Sequence, residues 1–372
     1  MRGHRFSGTI AALAFAASVA QPALAEGQYT IGFTAALSGD FAAFGENMLR
    51  GVELAVAEIA AAGGPTFSIE IADDRGEARE GVLIAQRFCS DEEVMAVLGY
   101  SFSSIALAAV PVYDQCGLSV VGSAVTSPDL SGVSPWFRRN ILTDAVQGSM
   151  MGSYAAEGLK LSSVYVIHQQ DDYGIGVANA FSTAAEAAGV KLLGTEAYVL
   201  GTRDFATQLT KIRAAEPDAI FIGGFYSEAA KIAEQARQLG IDVQILGTDG
   251  ALNPELITLG GAAVEGMIVY GMFDPSIATD TTSAFISAYE AKFQMAPNAF
   301  SALGYDAMMA TAEALRLAGE AGGVTRTAVN DAYGRIDALP GVTGPTTFDE
   351  KGDRAGALYF LKVQDGAFTL AQ

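Results

Sequence analysis

The stretch VMAVLGYSFSSIALAAVPVYDQCGLSVVGSAVTSPDL (residues 94–130) holds two different periods in one run. VMAVLG (94–99) is continuously apolar and ends in glycine, and LSVVG (118–122) is a second segment of the same kind. Apolar runs of this length read as strands buried on both faces. Between them Ser104–Cys116 has helical spacing. A strand, a helix and a strand in this order form a right-handed crossover between parallel strands.

The unit repeats outward from there. YTIGF (29–33) and FSIEIA (67–72) precede it as strands, with helices predicted at Glu46–Ala62 and Ala78–Cys89. A strand-like link, WFRRNILT (136–143), follows. A second run then begins, with strands at SVYVIH (163–168), KLLGTEAY (191–198), DAIFIGG (218–224), VQILGT (243–248) and GMIVYG (266–271). Its helices are predicted at Ala145–Gly158, Gly174–Ala188, Phe205–Ala215, Ser227–Leu239 and Pro254–Leu259. Beyond 272 the pattern changes to helices at Thr282–Phe293, Ser301–Ala318 and Thr325–Ile336, then a β-rich tail. Two similar α/β lobes with short connections imply a cleft between them.

Length and composition agree. The chain has 372 residues, half of them hydrophobic, which suits two domains with sizeable cores. Residues 1–25 read as a signal peptide: a basic start, the apolar run TIAALAFAASVA, and Ala23–Ala25 as a small-x-small cleavage site. That run is too short for a membrane span, and no cysteine stands at the cleavage point to take a lipid. The net charge is −20, and losing Arg2 and Arg5 with the leader takes it to −22. Such a chain repels nucleic acid and anionic membranes. Cys89 and Cys116 suit either one disulfide in an exported protein or two buried thiols, the bridge being favoured.

Catalytic machinery is hard to find. His168 is the one histidine left after the leader, and it ends a strand, where packing is its plainer role. There is no G-x-S-x-G elbow and no phosphate-binding P-loop. YGIGVANAF has two glycines but no third at the dinucleotide spacing. Asp73–Asp74 and Asp171–Asp172 read as solvated loop charges, and DEKGD (349–353) as a hairpin turn rather than a calcium loop. Two cysteines and one histidine are too few for a zinc site.

What remains lies at strand ends, where ligands of open α/β sheets gather. Ser103 is placed to N-cap the helix after VMAVLG, and that helix start would seat an anion. A capping serine alone is the plainer reading. After LSVVG, Ala124 can present its carbonyl unobstructed and Thr126 adds a hydroxyl and an N–H, or the segment is a polar turn. Asp249 stands at a strand end before Gly250, as a binding acid or an Asx-turn. Phe44, Tyr173, Phe225 and Tyr226 follow other strand ends as loop-tip aromatics, which close over a guest or over each other. The first half thus offers neutral donors for a carboxylate, and the second an anion for an ammonium. That is the outline of a zwitterionic amino acid held across a cleft.

The segments TAALSGDFAAFGENMLRGVELAVAEI, VLGYSFSS, VVGSAVTSPDL, HQQDDYGIG, GGFYSEAAK, LGTDG and FDEKGD carry a resemblance in this order. The chain resembles the leucine/isoleucine/valine-binding proteins, type I periplasmic solute receptors of ABC importers, over essentially its whole mature length. The resemblance implies an α/β fold of two Rossmann-like lobes with parallel central sheets and a three-crossing hinge. It implies one lobe of residues 26–143 with 275–344 and another of 144–274 with 345–372. Ser103 with Ser104, and Thr126, would take the ligand carboxylate; the Ala124 carbonyl and Asp249 would take the ammonium; Phe44, Tyr173 and Phe225 would enclose the side chain. Two positions depart from the pattern: branched-chain members usually carry Glu at Asp249 and often Tyr at Phe225. The implied function is a monomeric periplasmic receptor, not an enzyme and without cofactor, that delivers a branched-chain or other aliphatic amino acid to an inner-membrane permease. An aromatic carboxylate, an amide or urea on the same scaffold, a ligand sensor, and an exported enzyme are the alternatives.

Overall fold

A computed structural model describes residues 27–277 and 279–371. The leader-like segment and its cleavage point at Ala25 lie outside the described residues. The first unit runs β1 (Gln28–Ala35), α1 (Ala42–Ala61), β2 (Thr66–Asp73), α2 (Ala78–Ser90), β3 (Val94–Gly99), α3 (Ser103–Cys116), β4 (Ser119–Gly122) and β5 (Phe137–Arg139). Its strands form one parallel sheet in the order β2-β1-β3-β4-β5. β4 is buried along its whole length, and β3 nearly so, whereas the edge strand β2 alternates. Central strands covered by helices on both faces cannot expose a polar row, which is why they read as unbroken apolar runs.

The second unit runs α4 (Asp144–Glu157), β6 (Ser163–Gln169), α5 (Asp172–Ala187), β7 (Lys191–Tyr198), α6 (Ala206–Ala215), β8 (Ala219–Gly223), α7 (Tyr226–Gln238), β9 (Gln244–Leu246), α8 (Pro254–Gly260) and β10 (Ile268–Gly271). Three further helices follow, α9 (Asp280–Phe293), α10 (Ala299–Glu320) and α11 (Arg326–Tyr333). α10 lies along α1 and against β3, and α11 touches β3 and β4, so this block belongs to the first sheet. The chain then returns to the second sheet as β11 (Tyr359–Gln364) and β12 (Ala367–Leu370), antiparallel beside β10. That sheet has the order β12-β11-β10-β9-β8-β6-β7. The backbone therefore passes between the two sheets after β5, after β10 and after α11. In each sheet the order reverses once, between β1 and β3 and between β6 and β8. Those reversals open the crevices where α/β sheets bind ligands.

Some expectations shift in detail. α1 begins at Ala42 rather than Glu46, because Ala42 N–H already bonds Gly39 O in a lead-in turn. β5 is only three residues of the longer WFRRNILT run. DEKGD is a tight turn: Asp349 accepts from Lys351 and Asp353 through its side chain, and Phe348 bridges to Arg354. His168 is the last residue but one of β6, which runs on to Gln169, and its Nδ1 lies 2.8 Å from Gln169 O. Cys89 and Cys116 are bonded to each other, joining the ends of α2 and α3 across 27 residues of sequence. Among the described residues no helix is long and apolar enough to cross a membrane.

α1 and α10 approach so closely that only glycine fits at their contact. A Cβ at Gly304 would fall 2.2 Å from Met48 O, and one at Gly51 would fall 2.0 Å from Ser301 O. Both obstacles are backbone and cannot step aside. Gly304→Val should therefore lower stability by roughly 3 kcal/mol, measured as a lower urea midpoint at unchanged slope.

Candidate functional site

The first wall is built where β1, β3 and β4 end. Ser101 Oγ accepts the Ala36 N–H at 3.1 Å and ties the ends of β1 and β3 together. Ser103 does not cap α3 as expected. The N-cap position belongs to Phe102, whose side chain makes no capping bond, and Ser103 is the first helical residue. From there its Oγ turns across to the next strand end and accepts the N–H groups of Thr126 and Ser127, both at 3.2 Å. With both lone pairs engaged, the Ser103 hydroxyl proton is left to donate. The amides of Ser103 and the half-buried Ser104 lie in the first turn of α3, where no helical carbonyl reaches them. At the start of α3 this wall presents uncharged hydrogen-bond donors, which suit an anion.

A buried arginine holds this wall in shape. Arg139, fully buried at the end of β5, donates to Val125 O (3.2 Å), Ser127 O (2.8 Å), Ser131 Oγ (2.8 Å) and Asp353 Oδ1 (2.7 Å). The loop carrying Ala124 and Thr126 is thus clamped from below. An Arg pair inside an apolar strand run was the sequence signal for this. Burial pulls the Arg139 guanidinium down, and Asp353 holds it up.

The second wall comes from β6, β8 and β9. Asp249 opens a single 3-10 turn, Asp249–Ala251, and is buried. Its side chain does not make an Asx-turn. Tyr173 Oη donates to Oδ1 at 2.7 Å, and Gln147 Nε2 reaches Oδ2 at 3.4 Å. Gly250 N–H in turn donates to Tyr173 Oη at 3.1 Å. Burial raises the Asp249 carboxyl above the ordinary aspartate range, and the Tyr173 hydrogen bond opposes that. Gln147 and Tyr173 come from α4 and α5, whose first turns point at the cleft.

Aromatic rings join the two walls. Phe225 stacks on Tyr173 at 4.9 Å and meets Phe102 at 4.9 Å, Phe44 at 5.5 Å and Phe41 at 5.7 Å. Tyr226 Oη donates to Asp40 O at 2.8 Å, a further bond between the walls. The lobes are therefore in contact along this edge. Phe44 and Tyr173 sit inside the first turns of α1 and α5 rather than on loop tips, both buried. Phe41 and Phe102 belong to the cluster and escaped sequence reading, since a ring beside a helix start has no pattern to separate it from core.

The structure brings Ser103, Ser104, Ala124 and Thr126 to one side and Tyr173, Phe225 and Asp249 to the other. Phe44 lies at the aromatic edge. Asp144, which sequence reading passed over, lies between the walls: its N–H donates to Thr126 O at 2.8 Å, and it precedes Gln147 by one helical turn. Among the described residues no cluster of His, Cys, Asp and Glu could hold a metal ion.

Comparison with known proteins gives a consistent picture. The sequence profile of the periplasmic binding protein family matches residues 28–367. An amino acid binding protein of Pseudomonas aeruginosa is 30% identical over 367 residues, covering 97% of this chain and 94% of that protein. The crystal structure of the leucine binding protein LivK from Thermotoga maritima superposes with a TM-score of 0.88 at 30% identity, covering 92% of this chain and 98% of that one. The branched-chain amino acid transporter substrate binding protein LivJ from Streptococcus pneumoniae, in complex with isoleucine, has a TM-score of 0.87 at 28% identity, covering 93% and 99%.

Proposed function

The chain belongs to the periplasmic binding protein family, and from that premise we propose that it is the substrate-binding component of an ABC importer for an aliphatic, branched-chain amino acid. The observation that carries this reading is the placement of Asp249, a buried acid across the cleft from the uncharged donors of Ser103, Ser104 and Thr126. A zwitterion fits this polarity in one orientation. Its carboxylate lies on the α3 start and its ammonium on Asp249 and the Ala124 carbonyl. Its side chain faces Phe44, Tyr173 and Phe225. The similarity to leucine-binding and isoleucine-bound proteins supports an aliphatic side chain over an aromatic carboxylate, an amide or urea. An aromatic carboxylate has no donor for a buried acid, and an amide or urea can donate to one but brings no positive charge to offset it.

Binding performs no chemistry in this reading. The ligand touches both walls only when the lobes are closed, so it shifts the population toward the closed form. That form is what the inner-membrane permease would recognise. We place the hinge crossings at 143–144, 274–275 and 344–345, with the lobes moving about them. The protein works as a monomer in the periplasm once the leader is removed after Ala25. A thermal-shift panel tests the ligand class, because a ligand at a hundred times its Kd adds about 2.7 kcal/mol to stability. Leucine, isoleucine or valine should raise the melting temperature while benzoate, acetamide and urea leave it unmoved. A shift with benzoate or an amide alone would overturn the reading.

A further inference from the structure

Asp144 is fully buried at the start of α4, and neither of its carboxylate oxygens has a hydrogen-bond partner among the described residues. Thr126 Oγ1, buried beside it, also lacks a hydrogen bond of ordinary geometry, although it lies close enough to favour the Asp144 charge. The backbone pins both in place through the bond from Asp144 N–H to Thr126 O. One turn further along α4, Gln147 divides its amide between Leu142 O (2.8 Å) and Asp249 Oδ2 (3.4 Å), and its Oε1 is without a partner. The two carboxyl groups lie near enough for the Asp249 charge to act on Asp144. Asp249 is served by Tyr173 and Gln147, and Asp144 by nothing but its neighbours' fields.

Among the described residues no cation pairs with either carboxylate. Arg139 is the positive group that acts on Asp144, but four of its five N–H donors are engaged elsewhere. The other groups that face the pair are Asp171 at the start of α5, Tyr173, and Tyr270 of β10, whose buried hydroxyl is likewise unpartnered. Asp171 adds negative charge, and the two tyrosines are neutral at ordinary pH. Both acids are raised, Asp144 by burial first and by Asp249 second, and Asp249 by burial. Two buried carboxylates at one site hold a proton more tightly than either would alone, until a counter-charge replaces it. A ligand ammonium is a counter-charge with three N–H donors, and unpartnered acceptors are what it requires.

We propose that Asp144 is a second carboxylate of the ammonium seat: with Asp249 it holds one proton in the empty cleft, and the ammonium of a bound amino acid displaces that proton into solvent. This rests on the amino-acid reading above. One positive charge enters and one leaves, so the buried site keeps its net charge. The sign of the pH dependence follows. The empty pair binds its proton more tightly than the occupied pair does. Affinity therefore rises with pH, by up to about tenfold per unit, until the empty pair has ionised by itself.

Calorimetry of the chain with L-leucine, L-isoleucine, L-valine and L-alanine, in two buffers of different ionisation enthalpy near pH 6, counts the protons released. The unaltered protein should release about one per ligand, and its Kd should fall between pH 5 and 8. Asp144→Asn should release close to none, flatten that pH dependence, and bind at least tenfold more weakly at pH 8. If Asp144→Asn kept the affinity and proton count of the unaltered chain while Asp249→Asn abolished binding, the proposal would fall and the amino-acid reading would stand. If none of the four amino acids bound the unaltered chain, both would fall. Should Asp144→Asn not fold, a zero proton count and a flat pH profile in the unaltered chain would still overturn the proposal.

Discussion

Asp249→Ala should weaken amino-acid binding at least thirtyfold while leaving the empty protein as stable as before, or more so. Removing one partner of a buried, hydrogen-bonded charge pair costs about 2–5 kcal/mol, because the other charge stays buried and uncompensated. Here that other charge is the ligand's ammonium. Stability moves the opposite way. Burial lifts the Asp249 carboxyl above its unfolded value, so the folded state holds its proton more tightly than the unfolded state does. Ionised Asp249 consequently costs stability once the pH has passed the unfolded value of about 3.9, and its removal lifts that burden at neutral pH. Tyr173 Oη loses an acceptor but keeps its bond from Gly250 N–H. Titration calorimetry and a urea melt of the empty protein read the two effects separately. Unchanged affinity would mean that the ammonium binds elsewhere.

Arg139→Ala should have the larger effect on folding, a loss of roughly 3–5 kcal/mol. The side chain is fully buried and forms an ion pair with Asp353 at 2.7 Å. Its removal strands that carboxylate and leaves Val125 O, Ser127 O and Ser131 Oγ without their donor. The same change frees the loop that carries Thr126, so affinity should fall along with stability. Arg139→Lys would not rescue either property, since one ammonium cannot reproduce a planar fork that serves partners on several sides. A urea midpoint close to that of the unaltered chain would show that the clamp contributes little.

The alternation of strands and helices was plain in the sequence, and so were most element boundaries. β3 and β4 announce themselves because a strand buried on both faces must be apolar at every position, and α2 because its apolar residues recur at helical spacing. The grouping of α9–α11 with the first sheet was not legible from periodicity. Nothing in residues 280–333 says which of two similar sheets they will cover; they pack on the first through α10 along α1, where glycines allow close approach, and through α11 on β3 and β4.

The sites divide in the same way. Asp249, Tyr173 and Phe225 were noticed because they stand where strands end, a local feature of the chain. Ser103 was read as a helix cap because capping is a local rule, yet its hydroxyl serves a loop more than twenty residues away. Asp144 directly precedes the helix expected at Ala145–Gly158, where an acid is a common cap, and nothing local marks it further. Only the packed molecule reveals that its carboxylate is buried, unpartnered and held against Thr126. Periodicity is written residue by residue, so the sequence alone determined the two α/β units and the strand ends at which a ligand would sit. Burial of charge depends on which distant segments close over a side chain, and only the tertiary structure decided that two acids, rather than one, face the cleft.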